Sequence, residues 1–327
     1  MRPGLRPDDA QAQASWARSR ERGAFFMMRL MLWLAALPRP LIAPFVHLAT
    51  GYFFLSSRRA RAASRSYLRR LSNAMPEVVV RPSAAGVYRH FLAFSWSILD
   101  KLDAWSGRLD STQVRLENYD ALDPVRASGR GLLLIGSHLG NLEMCRAVAA
   151  ARTRGRVRLN VLAHTRHATL FTRVLRLAGA DLELLQVTEL DAATALMLKN
   201  RVDRGEWVVI TGDRVPVHGG RTVDVQLLGE AAPLPVGPYV LAALLECPVF
   251  LLFCLRRPEG HHAYFEHFAE RVSWRRVERD AVIAGLAQRF AARLEYHLRQ
   301  EPLQWFNFYP FWRADAARTS ASVRRRT

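Results

Sequence analysis

The sequence predicts an α/β fold with a largely parallel central sheet flanked by helices, preceded by an apolar helical segment suited to membrane anchoring. Three observations carry this. From residue 84 onward, short apolar and β-branched runs alternate with helical patterns. Before them, residues 24–55 are too long and too apolar for a surface helix. Finally, several of the apolar runs end in clusters of histidine, arginine and carboxylate, as strands do at the functional edge of an open α/β sheet.

The strand runs are "GLLLIG", "VRLNVLA", "LELLQV", "WVVITG", "VDVQLLG", "PVFLLFCL" and "AYFEHF". Helical periodicity covers 84–105 and roughly 140–152, 168–178, 190–203, 237–246 and 276–300. At 327 residues the chain suffices for one large domain with an appendage. The expected organisation is a polar segment over 1–23, apolar and basic helices over 24–83, a catalytic-type α/β domain over 84–315, and a basic tail over 316–327. Half the residues are apolar and 23% charged, which excludes a disordered chain. The net charge of +18, nearly all arginine, calls for an anionic partner. Cys145, Cys247 and Cys254 lie in apolar runs without metal-ligand spacing and read as small buried residues in a reducing compartment.

The apolar segment is interrupted by Arg29, Arg39 and three prolines, whereas a spanning helix needs about 20 uninterrupted apolar residues. A monotopic or re-entrant anchor, one spanning helix, and buried helices all remain open, with membrane contact favoured. A cleavable secretory signal fits poorly. Arg58, Arg61, Arg65 and Arg69 then recur at spacings of three and four, either as a solvated helix face or as a surface for anionic lipid headgroups.

Three strand ends, "SHLGNLE", "HTRH" and "GDR", bring His138, Glu143, His164, Arg166, His167, Asp213 and Arg214 toward one edge. Histidine suits proton transfer near neutral pH. A carboxylate accepting its second ring N–H would hold the tautomer of a base, and Glu143, five residues on in a first helical turn, is the expected partner of His138. Asp213 would hold Arg214 or a substrate hydroxyl. Arg214 and backbone N–H groups are candidate oxyanion donors. Arg166 and Arg221 would bind phosphate or stand in solvent. Asn141 would cap the following helix or meet substrate. His164 and His167 are weak as ligands, and no metal site or cofactor is expected.

"GSHLGNLE" resembles the H-x-x-x-x-D/E signature of the glycerolipid acyltransferase superfamily, and more closely the version in the bacterial lipid A biosynthesis (late) acyltransferase family and its relatives. "TGDRVPVHGGRTVDVQLLGEAAPLPVGPYVLAALLECPVFLLF" is similar to that family's second block, and "QWFNFYPFW" to its aromatic C-terminal signature. The N-terminal apolar segment followed by "SRSYLRR" fits as well, so the likeness runs from about residue 20 to 315. One departure is Leu142, where the family frequently has Trp.

The resemblance implies acyl transfer from a thioester donor, acyl carrier protein or acyl-CoA, to a hydroxyl of a glycolipid acceptor such as lipid A. It implies His138 as general base, Glu143 as its orienting carboxylate, and work at the cytoplasmic face of the bacterial inner membrane, against anionic lipid. An aminolipid or polyketide-type lipid is the alternative acceptor. The six aromatics of "WFNFYPFW" suit either the headgroup level or the core. A nucleic-acid partner is disfavoured because no RNA-binding, zinc or helix-turn-helix pattern occurs. Nucleotide binding lacks G-x-x-x-x-G-K-[ST] and G-x-G-x-x-G, and a metallohydrolase lacks the paired ligands on one helix face.

Overall fold

A computed structural model describes residues 37–105, 114–142, 157–163, 182–186, 191–214 and 220–315. By internal contacts the chain divides into residues 1–48 and 49–327. The sheet and the candidate site belong to the second unit.

Among the described residues the strands are β1 (Val114–Glu117), β2 (Leu133–Gly140), β3 (Leu159–Ala163), β4 (Leu182–Gln186), β5 (Trp207–Thr211), β6 (Thr222–Leu227), β7 (Glu230–Pro235), β8 (Val249–Arg257) and β9 (Gly260–Ala269). Seven of them form one sheet in the order β1-β9-β8-β2-β5-β3-β4, while β6 and β7 make a separate antiparallel hairpin. Within the large sheet only the β8–β9 pair is antiparallel, so the expected largely parallel sheet is present.

The central strands bury both faces, which is why their sequences are apolar without alternation. Leu133 and Ile135 of β2 join Val208, Ile210, Val249, Leu251 and Phe253 in one core. Leu134 turns to the other face with Trp207, Val209, Phe250, Leu252 and Cys254. Each such Leu or Ile contributes about 1.5–3 kcal/mol by leaving water.

The described helices are α1 (Arg39–Ser56), α2 (Arg58–Ala74), α3 (Ala84–Trp105), α4 (Asp123–Ser128), α5 (Ala192–Asp203), α6 (Gly237–Leu245) and α7 (Arg279–Gln300). The expected helices over 84–105, 190–203, 237–246 and 276–300 are therefore present. The helix over 168–178 and nearly all of 140–152 lie outside the described residues, as do Cys145, residues 1–36 and the tail.

Two strands went unread. The four residues of β1 sit at a sheet edge and carry Arg115 and Glu117, so no apolar run announces them. β7 contains Pro233 and Pro235, tolerable because the hairpin pairs it on one side only. The first strand also runs further than its apolar residues: β2 continues through His138 to Gly140.

Of the three forms open for the apolar segment, the described part does not form one spanning helix, while residues 24–36 lie outside the described residues. No described helix is both long and apolar enough to cross a membrane, although α1 and α2 pass that test together as a pair bent by 95°. Tyr67, Leu68 and Leu71 of α2 enter the main core, while Arg58, Arg65 and Arg69 stay exposed. Arg61 donates to the carbonyl of Leu55 at 2.7 Å and to that of Phe54, satisfying the C-terminal end of α1. Arg70 is buried, pairs with Glu230 at 2.7 Å and Asp315 at 2.9 Å, and lies over the Trp312 ring.

Candidate active site

β2 and β8 stay in register up to Gly136 and Leu252, then meet again at Gly140 and Cys254, so four residue steps on β2 match two on β8. This irregularity frees Ser137, His138 and Leu139 from the β8 ladder and re-aims their side chains. Gly140 ends it with a φ of +75°, and a Cβ there would stand 1.9 Å from the Cys254 carbonyl oxygen. Only glycine suits both demands.

The C-terminal residues replace the lost pairing. Gly140 N–H donates to the Gln304 carbonyl at 2.8 Å, and Phe306 N–H donates to the His138 carbonyl at 3.1 Å. Between them Leu139 and Trp305 form an antiparallel bridge. Residues 304–307 thus lie as a strap along the free end of β2. Trp305, Phe306, Phe311 and Trp312 are all buried, so four of the six aromatics fill the core.

On the other side of β2, β5 ends at Thr211, and Gly212 N–H donates to the Gly136 carbonyl at 2.9 Å. The approach is close: a Cβ on Gly212 would lie 2.8 Å from Ile135 Cγ2. The next residue, Asp213, meets the histidine. His138 Nδ1 and Asp213 Oδ1 are 2.8 Å apart, and the His138 backbone N–H donates to Oδ2 at 2.9 Å. Trp305 Nε1–H donates to the same Oδ2 at 2.9 Å.

Asp213 is fully buried. Burial alone would push its carboxyl upward, but the His138 ring and its hydrogen bond, the Arg214 charge and the Trp305 indole outweigh it and hold the group at about 2. It is therefore a carboxylate at neutral pH. An ionised carboxylate only accepts, so Nδ1 of His138 carries a proton, and the neutral ring has its lone pair on Nε2. The His138 side chain is 30% exposed, so the ring can be reached.

Glu143, the expected partner of His138, lies outside the described residues, as do His164, Arg166 and His167. Asp213 is present, but its oxygens face His138 and Trp305 instead of a substrate hydroxyl. Arg214 donates from Nε to Asn307 Oδ1 at 2.9 Å and from Nη2 to the Phe306 carbonyl at 2.6 Å, fixing its guanidinium against the strap. Asn141 is buried, its amide donating to the Ser97 carbonyl at 3.3 Å, while Oδ1 has no hydrogen-bond partner among the described residues. Arg221 is 65% exposed and meets Asp280 at 3.5 Å, a weak surface pair.

Trp305 and Asn307 were missed as site residues. The aromatic run was visible, but nothing in it says which indole meets a carboxylate. A separate cleft of about 730 Å³, lined by Asp120, Glu266, His267, Arg289 and Arg293 among others, contains neither His138 nor any of its partners. Glu266 there is already engaged by Arg293 and His297, so the cleft is a poor rival to the histidine site. Among the described residues no group of His, Cys, Asp and Glu has metal-binding geometry.

A histidine whose Nδ1 meets a buried carboxylate at the carboxyl edge of a mostly parallel sheet is an arrangement suited to proton transfer. The sequence pattern of the bacterial lipid A biosynthesis acyltransferase family matches residues 11–314, and the chain belongs to that family. Among curated proteins, none matches.

Proposed function

We propose that this chain transfers a fatty acyl group from a thioester of acyl carrier protein or coenzyme A to a hydroxyl of a lipid A-type or other glycolipid. The observation that carries the reading is the His138–Asp213 pair, with Nδ1–H held by an ionised carboxylate. Nε2 takes the proton from the acceptor hydroxyl as its oxygen attacks the thioester carbonyl. The tetrahedral oxyanion then collapses, the C–S bond breaks, and the imidazolium returns the proton to the departing thiolate. Asp213 stabilises the imidazolium throughout without itself being protonated. Arg214, fixed beside Asp213, is the candidate for stabilising the oxyanion. Arg166 and Arg221 are assigned to acceptor phosphates.

The acceptor would be met at the cytoplasmic face of the bacterial inner membrane. Supporting this, α1 exposes Leu48, Tyr52 and Leu55 at 74%, 67% and 74%, and α2 exposes Arg58, Arg65 and Arg69. Exposed apolar side chains on one helix, followed in sequence by exposed arginines on the next, suit an anionic bilayer surface.

The test is transfer of radiolabelled acyl groups from acyl carrier protein, and separately from coenzyme A, into total membrane lipid by wild type and His138→Ala. A labelled lipid that disappears in the variant is expected, and alkali-labile label identifies an ester. Alkali-stable label would indicate an aminolipid acceptor joined through nitrogen. Undiminished transfer by folded His138→Ala would overturn the mechanism.

A further inference from the structure

The geometry points to Trp305 as a positioning residue of the catalytic centre, its indole N–H fixing the rotation of Asp213 that presents Oδ1 to the His138 ring. This rests on the acyl-transfer reading above.

Asp213 Oδ1 has the His138 ring as its partner at 2.8 Å, while Oδ2 accepts both the His138 backbone N–H and the Trp305 indole, each at 2.9 Å. Two donors on one oxygen and one on the other define the carboxylate plane. Without the indole, Oδ2 keeps a single donor, and that donor lies on the same residue as the ring. The pair could then turn together.

The indole is itself immobilised from several directions. Trp305 is 1% exposed and packs edge-on against Tyr67, Phe311 and Trp312. Its carbonyl accepts from His90 Nε2 at 3.0 Å, and its main chain bridges to Leu139. The preceding Gln304 grips the main chain of Arg256 at both N–H and carbonyl. A donor held this way loses little freedom when it bonds, which is the condition for an outer residue to orient a reacting one.

Trp312 supplies the contrast. It is equally buried in the same aromatic cluster, yet its indole reaches only the Leu227 carbonyl, at 3.4 Å. Packing accounts for that tryptophan without recourse to its N–H. It does not account for an indole aimed at a catalytic carboxylate.

The experiment compares full-length wild type with Trp305→Phe, Trp312→Phe and a Trp305 variant carrying 3-benzothienylalanine, which keeps the ring shape but replaces N–H by sulfur. The first readout is the low-field proton resonance of His138 Nδ1–H, assigned by its loss in His138→Ala, which requires no turnover. The second is label transfer into membrane lipid, with kcat and donor KM measured separately. Both Trp305 variants should shift or broaden the resonance and lower kcat about tenfold or more at nearly unchanged KM. Trp312→Phe should leave both within about twofold of wild type.

A folded Trp305 variant with wild-type resonance and kcat would overturn the inference. So would unfolding of both Trp305 variants while Trp312→Phe folds, because the N–H would then serve stability. If His138→Ala retains transfer, the acyl-transfer reading fails instead, whatever Trp305 does.

Discussion

His138 and Asp213 are 75 residues apart in the chain, yet their side chains meet at 2.8 Å across the ends of two neighbouring parallel strands. The parallel pairing of β2 with β5 directs both carboxyl ends to one edge, and Gly212 lets the backbones close. A carboxylate delivered from a rigid strand end is better fixed than one on a surface loop. The histidine is thus positioned by the sheet itself.

Asp213→Asn should therefore reduce acyl transfer about 10²–10⁴-fold, because the neutral amide neither selects the Nδ1–H tautomer nor stabilises the imidazolium. Glu143→Gln, removing the carboxylate nearest in sequence, should cost less. Both are checked by initial rates of label transfer, with urea unfolding confirming that each variant is folded. A larger loss in Glu143→Gln would assign the orienting role to Glu143.

Gly140→Ala should destabilise the protein more than an ordinary surface change. The φ of +75° disfavours any side chain, and the new Cβ would stand 1.9 Å from a carbonyl oxygen of β8. Relief requires β2 to move away from β8 or from the strap. A loss of at least about 2 kcal/mol in urea unfolding is expected, together with reduced activity. Unchanged stability would show that the strand end is plastic.

His90 should make stability depend on pH. Burial holds its ring at about 4, only partly opposed by the bond to the Trp305 carbonyl. Nε2–H donates to that carbonyl, so Nδ1 accepts from Ser64 Oγ at 2.9 Å and the neutral ring satisfies both. Between about 6.5 and 4 the unfolded chain takes up a proton that the folded one refuses. The contribution is complete above about 6.5 and lost as pH falls toward 4, on the order of 3 kcal/mol in total. The carboxylate of Asp213, held at about 2, loses its contribution only at lower pH. Urea unfolding of wild type and His90→Gln from pH 7 to 4 should show a steeper decline in wild type; parallel curves would refute this.

The exposed face of α1 predicts binding to lipid. Tyr52→Glu with Leu55→Glu should weaken sedimentation with phosphatidylglycerol vesicles about tenfold or more, by removing apolar contact and adding repulsion. Added salt should weaken the wild-type interaction, because the α2 arginines supply the attraction. Equal binding by the variant would remove α1 from the membrane surface.

Much of the site was legible in residue types. His138 announced itself by its position after an apolar run, and "TGDR" was visible as a second strand end. Sequence spacing pointed to Glu143, which lies outside the described residues, and gave no sign of Asp213, because spacing along a chain measures only local proximity. Asp213 became a neighbour through the β2–β5 pairing, a contact that sequence distance conceals. The strap was harder still: "QWFNFYPFW" showed its aromatic content, but an aromatic run suits a membrane interface and a core equally well.

The sequence by itself determined the kind of fold, the family, the basic surface and the histidine, because these follow from periodicity, composition and short motifs. Tertiary structure decided which carboxylate holds that histidine, that Trp305 reaches the carboxylate, and that four of the C-terminal aromatics are buried. The physical reason is that strand order and close backbone approach are set by packing on both faces of the sheet. Only there do residues 138, 213 and 305 become neighbours.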